Sequence, residues 1–196
     1  MADRRRGPRR RIPPGAIRID LPNTTQLEGY TCGPSALLAV CAYFGVGPDE
    51  EWEIEADMGI GRAGTDPAHL VTTARRYGLR VAEHRGMTDA QLRACLDRRR
   101  PVILMLQAWA EPPPRSYRDR WRDGHWVVAI GHDRAGLYVE DPAIHAARGF
   151  LTWRELDARW HDIEGPRRVH VERYGAAMWR PGARGSAYQH LARVIG

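Results

Sequence analysis

The chain contains no lysine: all thirty of its basic residues are arginine, which leaves no target for lysine-directed modification and fits the codon bias of a GC-rich genome. Cysteine is scarce, and the count of three is odd. An odd number of thiols without a secretory signal argues against a disulfide framework and for a reducing compartment. No CxxC and no Cys/His cluster with metal-ligand spacing occurs, so neither a structural zinc site nor another metal site is expected, and no cofactor motif is present. Long apolar runs are also missing. The stretches near residues 101–110 and 126–131 are too short to span a bilayer, and Pro13, Pro14, Arg18 and Asp20 interrupt any h-region after the N-terminal arginines. The expectation is a cytoplasmic protein with no transmembrane segment. There is no internal repeat, and 196 residues, 43% of them hydrophobic, suffice for one substantial core.

The charge is unevenly spread. Residues 1–14 hold six arginines and one aspartate, a contribution of +5 to a total of +6, so the body of the chain is nearly neutral. Residues 1–16 are too polar to fold alone and are expected to be a disordered Arg-rich tail. Such a tail suits nonspecific contact with nucleic acid or an acidic surface.

Against this background one stretch carries chemistry. In residues 26–45 (QLEGYTCGPSALLAVCAYFG), Leu37, Val40, Cys41 and Phe44 recur at i, i+3, i+4 and i+7, one face of a helix that ends at Gly45. Pro34 fits only the first turn of a helix, which places Cys32 at its mouth. Unpaired N–H groups there favour the thiolate, so Cys32 is a candidate nucleophile. Cys41, on the apolar face, and Cys95, between Leu92 and Leu96, read as core thiols.

A thiolate nucleophile needs a base. Residues 124–141 (GHWVVAIGHDRAGLYVED) form two alternating runs around a turn near 133 or 134, a β-hairpin. A regular register about that turn sets His125 opposite or diagonal to Asp141 on one side of the ribbon. That is the arrangement in which a carboxylate orients an imidazole and supports its charged form. His132, of opposite parity, should face away. Gln26, six residues before Cys32, is a candidate oxyanion donor alongside the Cys32 backbone N–H. Trp121 and Trp126 are candidates for lining a substrate groove.

Helix starts are marked at Thr65-Asp66-Pro67, at Thr88 with Gln91 and at Thr152 with Glu155, the last two as capping boxes. Strands are expected at 79–84, 101–107, 125–131, 137–141 and 168–173. Helices followed by strands predict an α+β fold.

These stretches resemble the bacterial bacteriocin-processing, double-glycine type of peptidase, family 39 of the papain-like cysteine peptidases, and in particular its stand-alone relatives with a CGP nucleophile motif. The resemblance rests on Gln26 with CGPSAL, GTDPAHLVTTARRYGLRV, TDAQLRACLDRRRPVILML, GHWVVAIG, LYVEDP and FLTWRELDARW. It implies a papain-like fold, with an N-terminal helical half whose nucleophile helix packs on an antiparallel sheet. It further implies a peptidase domain over residues 17–174 followed by an extension over 175–196, and a peptide or protein substrate. On the same footing Cys32 resembles the nucleophile, His125 the general base and acid, Asp141 the orienting residue and Gln26 the oxyanion donor. The same residues also suit an acyltransferase, a transpeptidase, a glutamine deamidase or a catalytically idle peptide-binding module.

Overall fold

A computed structural model describes residues 10–183 and 185. Helix α1 (Cys32–Phe44) opens with Pro34 in its first turn and stops at Gly45, whose positive φ of 62° lets its N–H turn back to the last carbonyls. The four residues of the predicted face are buried, but so are Ser35, Ala36, Ala39 and Tyr43. Small residues on the remaining faces let α1 sit in the middle of the molecule. It packs on a sheet and against two further helices, α2 (Glu51–Met58) and α3 (Pro67–Arg76).

The sheet has six antiparallel strands: β1 (Arg80–His84), β2 (Val102–Gln107), β3 (Gly124–His132), β4 (Gly136–Glu140), β5 (Gly149–Thr152) and β8 (Gly175–Trp179), in the order β1-β8-β2-β3-β4-β5. Strands β6 (His161–Glu164) and β7 (Val169–Glu172) form a separate two-stranded ribbon. Helices α4 (Asp89–Asp97) and α5 (Trp153–Arg159) begin with complete capping boxes at Thr88/Gln91 and Thr152/Glu155, as their sequences predict. Among the described residues, no helix is long and apolar enough to cross a membrane.

Two predicted boundaries move. The extension expected from residue 175 begins inside the sheet: β8 is hydrogen-bonded on both sides, to β1 and β2, and its small residues Gly175, Ala176 and Ala177 fit the tight space there. The tail expected over residues 1–16 is packed from Arg10 onward. Arg10 donates to the Tyr138 hydroxyl and pairs with Asp133, and Ala16 is buried; residues 1–9, and with them most of the Arg-rich tail, lie outside the described residues. Strands β5, β6 and β8 and helix α2 escaped the reading of the pattern. The strands are short or built of small residues, and α2 (EWEIEADM) buries only Glu51, Ile54 and Met58.

The β3–β4 hairpin is irregular where it matters. Next to the turn, His132 faces Leu137 and Gly131 faces Tyr138; beyond Ile130 the register shifts, so that Ala129 faces Val139 and Val128 faces Glu140. Had the first register continued, Asp141 would share a face with Val128 and point away from His125. The one-residue bulge puts it opposite Val127, diagonal to His125 and on the same face.

The N-terminal segment holds the bulge. The extra residue, Ile130, turns its carbonyl out to accept from the N–H groups of Arg18 and Ile19, each at 3.0 Å, and Ile17 pairs with Gly131. Only glycine fits at 131, because a Cβ there would lie 2.1 Å from the Ala16 carbonyl oxygen. Gly131→Ala is therefore expected to destabilise the fold by about 1–3 kcal/mol, the usual range for overpacking. Thermal unfolding checks this against Gly61→Ala, where an added Cβ meets open space and no change is expected.

Candidate active site

Cys32, His125 and Asp141 meet where the mouth of α1 faces the ends of β3 and β4. The meeting is built by the residues beside Asp141. Glu140, fully buried and paired with Arg148, accepts from Asn23 Nδ2 at 2.7 Å and from the Thr24 N–H at 3.0 Å. The Pro142 carbonyl accepts from the Gln26 N–H at 3.0 Å. The loop leading to Cys32 is thus tied to the same stretch of chain that carries Asp141. Closer to the helix, Glu51 accepts from the Leu27 N–H, and Thr31 closes a turn with Glu28, taking the Glu28 N–H on its Oγ1.

The three side chains are nearly sealed, with exposures of 7% for Cys32, 6% for His125 and 5% for Asp141. His125 Nε2 donates to Asp141 Oδ1 at 2.6 Å, and the Cys32 side chain lies close enough to the same ring to favour its charged form. With Nε2 committed to the carboxylate, Nδ1 is the nitrogen left for the sulfur. Burial alone would pull the imidazolium down. The charge and hydrogen bond of Asp141, reinforced by Cys32, outweigh it and raise His125 to about 10. Asp141 moves the other way: burial opposes ionisation, but His125, the Ala143 N–H at 2.9 Å and Trp109 Nε1 at 3.1 Å hold it below its ordinary range.

Behind the nucleophile, Gly33 abuts the Thr65 side chain so closely that a Cβ would lie 2.3 Å from Thr65 Oγ1. The Gly64-Thr65 stretch before α3 therefore walls the mouth of α1. Trp126 belongs to this wall and not to an open groove: it is 4% exposed, donates from Nε1 to the Thr65 carbonyl and meets Tyr174 edge-on. Trp121 also departs from its expected place. It stacks on His170 at 4.0 Å and contacts His161, pinning the loop after β2 to the β6–β7 ribbon. Trp126 is thus buried in the wall, while Trp121 is half-buried against the ribbon.

Gln26 lies in the loop as expected, with its Nε2 donating to the Glu28 carbonyl at 2.8 Å. An amide nitrogen carries two N–H donors, so one remains. His132 stays out of the site, hydrogen-bonded to Asp97, but not for the parity reason expected: the bulge shifts the alternation, and His132 pairs with Leu137, which shares a face with Val139 and Asp141. Among the described residues no group of three or more His, Cys, Asp or Glu side chains is arranged to hold a metal ion.

Two participants escaped the sequence reading. Trp109, the second side chain that donates to Asp141, follows β2 with a positive φ of 60°, a backbone state that nothing in its neighbours announces. Asp162 reaches across from β6 to the space beside Gly124 that a side chain would fill, accepts from Gln107 Nε2 at 2.8 Å and feels the His125 charge. Burial lifts it to about 6, against the pull of Ile163 N–H, Gln107 and His125. The only sequence trace of this contact is the glycine before His125.

With this geometry established, comparison with known proteins is informative. The model of the Peptidase_C39 like family matches residues 18–166. No curated protein sequence matches the chain. Among solved structures, the fold is similar to a double-glycine-motif protease from an AMS/PCAT transporter, crystallised with its leader peptide (TM-score 0.59, 20% identity, covering 84% of this chain and 94% of that one). It is similar also to a protein from Bacillus anthracis described as a C39-like peptidase (TM-score 0.64, 14% identity, 84% and 97% covered). The peptidase domain of Streptococcus ComA, a bifunctional ABC transporter of a quorum-sensing pathway, is a third (TM-score 0.59, 16% identity, 82% and 97% covered). The α+β architecture is that of papain-like C39 peptidase domains.

Proposed function

The chain belongs to the Peptidase_C39 like family, and on that footing we propose that it is a cysteine peptidase acting through Cys32, His125 and Asp141. The observation that carries the reading is the buried chain of contacts from Cys32 through His125 to Asp141. Each group has the neighbour its role requires. The Cys32 thiolate attacks the peptide carbonyl carbon, and the developing oxyanion takes the Cys32 backbone N–H and the free N–H of Gln26 Nε2. His125 gives its Nδ1 proton to the leaving amine as the C–N bond breaks, leaving an acyl thioester on Cys32. It then takes a proton from water, whose oxygen attacks the thioester; the C–S bond breaks, the acid departs, and the thiolate and imidazolium are restored. Asp141 holds the ring and balances its charge throughout.

The substrate in this reading is a peptide. The solved structure of a double-glycine-motif protease with its leader peptide supports the class of substrate. All three cysteines are free, which fits a reducing compartment, and we place the protein in the cytoplasm. The test is mass spectrometry of a peptide library after incubation with the protein, with and without added amine. New N- and C-termini that increase with time are expected. Amide products formed with the amine at the expense of free acid would instead make the enzyme an acyltransferase, and conversion of glutamine to glutamate without chain cleavage would make it a deamidase.

A further inference from the structure

At the far end of α1, twelve residues and about 18 Å from Cys32, lies a second concave site. Phe44, Arg98, Arg99, Arg100, Trp179, Arg180 and Ala183 line a cleft of about 630 Å³, within the range of small-molecule sites. Three of its arginines follow α4 and the fourth follows β8, so chain segments distant in sequence bring four arginines to one cleft. Positive charge at the end of α4 suits the helix dipole, but that does not account for Arg180.

No carboxylate lies within ion-pair distance of any of the four among the described residues; Asp97, the nearest in sequence, is taken by Arg18 and His132. Among the described residues their side chains hydrogen-bond only to carbonyls. Arg99 donates to Arg18 O at 3.2 Å, and Arg180 donates to Phe44 O at 2.9 Å and Gly45 O at 3.4 Å. A guanidinium has five donors, so most of the donor capacity of the cleft is unspent. Several arginines elsewhere, among them Arg85, Arg148 and Arg173, hold a carboxylate; the cleft differs in gathering four arginines without one, among the described residues, in a single lining. Arg100 lies 4.3 Å over the Trp179 ring, which fixes its plane, and the half-exposed indole adds an apolar wall.

We propose that this cleft binds the polyphosphate group of a small molecule. Planar forks that bond two oxygens at once suit phosphate, and the clustered like charges leave a repulsion that a multiply charged anion relieves. The volume suits a molecule of nucleotide size better than a single small ion.

The experiment is calorimetric titration of the full chain with ADP and, separately, with pyrophosphate at about 0.1 M salt, where screening removes long-range attraction. Saturable one-to-one binding of at least one probe is expected. The Arg98→Gln/Arg100→Gln pair should weaken it by about 10-fold or more, because two charge-assisted contacts are lost. Arg154→Gln, an exposed arginine on α5, should leave it unchanged. ADP binding tighter than pyrophosphate, with the advantage lost in Trp179→Ala, identifies a nucleotide; equal binding identifies inorganic polyphosphate. If the double variant does not fold by circular dichroism, Arg100→Lys keeps the charge and removes the fork, and should weaken binding as well. Three results would overturn the proposal: no saturation with either probe, equal weakening by Arg154→Gln, or tighter binding of a short RNA oligomer than of either phosphate.

Discussion

Cys32→Ala is expected to abolish acyl-enzyme formation and to lower peptide turnover by about 10⁴-fold or more, since removal of a covalent nucleophile leaves only binding and oxyanion contacts to act. Alanine is smaller than cysteine and sits well in the first turn of a helix, so the fold should persist. Thermal unfolding of the variant checks this and separates loss of chemistry from loss of structure. The other two thiols provide the contrast. Cys41 is fully buried and its thiol is pushed up to about 12 by that burial, while burial also raises Cys95. Cys95→Ala is expected to leave turnover intact.

The second large effect is expected at the base. His125→Ala removes the proton donor to the leaving group and should lower turnover by about 10²–10⁴-fold, the span of general acid–base catalysis. Asp141→Asn is the more informative companion. It keeps an oxygen acceptor for His125 Nε2 and removes only the charge that lifts the imidazolium to about 10 against burial. In the parent protein the thiolate–imidazolium form should persist until pH approaches 10 and then fail as His125 loses its proton. In Asp141→Asn that alkaline limit should move down by several pH units. A limit unchanged by the substitution would show that Asp141 does not govern the base.

The same groups tie stability to pH, with signs fixed by their shifts. Unfolded His125 titrates near 6.5, and its folded value is raised. Its contribution is therefore full below about 6.5 and is lost as pH rises through about 10. Asp141 is lowered, so its contribution is present above the unfolded value near 3.9 and is lost as pH falls through its depressed folded value.

Much of this site is legible along the chain because its parts are local. A proline one turn into an apolar 3.6-residue repeat locates a helix start, and so locates Cys32. Two strand-like runs on either side of Asp133–Gly136 locate the hairpin, and so bring His125 near Asp141. What stays hidden is relational. The bulge at Ile130 restores a parity that the observed turn alone would have spoiled, and it depends on residues Ala16–Ile19, more than a hundred positions earlier. Trp109 and Asp162 reach the site through backbone turns and a ribbon whose placement only the packed sheet decides. Trp121 and Trp126 illustrate the same point: aromatics beside His125 suggest a groove, and the contacts of Trp121 with His170 and of Trp126 with Thr65 are set by elements far along the chain. The strand β8 shows a related gap, since Gly175, Ala176 and Ala177 carry little strand preference and are held by close neighbours instead.

The central claim is that Cys32 is a thiolate nucleophile activated by His125. Its most direct measurement is the pH dependence of labelling by a peptide-derived acyl electrophile, with the modified residue located by mass mapping in the parent and in His125→Ala. The predicted result is a single adduct on Cys32, formed at a rate that falls strongly in His125→Ala. An adduct on Cys41 or Cys95 in place of Cys32, or a Cys32 rate unchanged in His125→Ala, would contradict it.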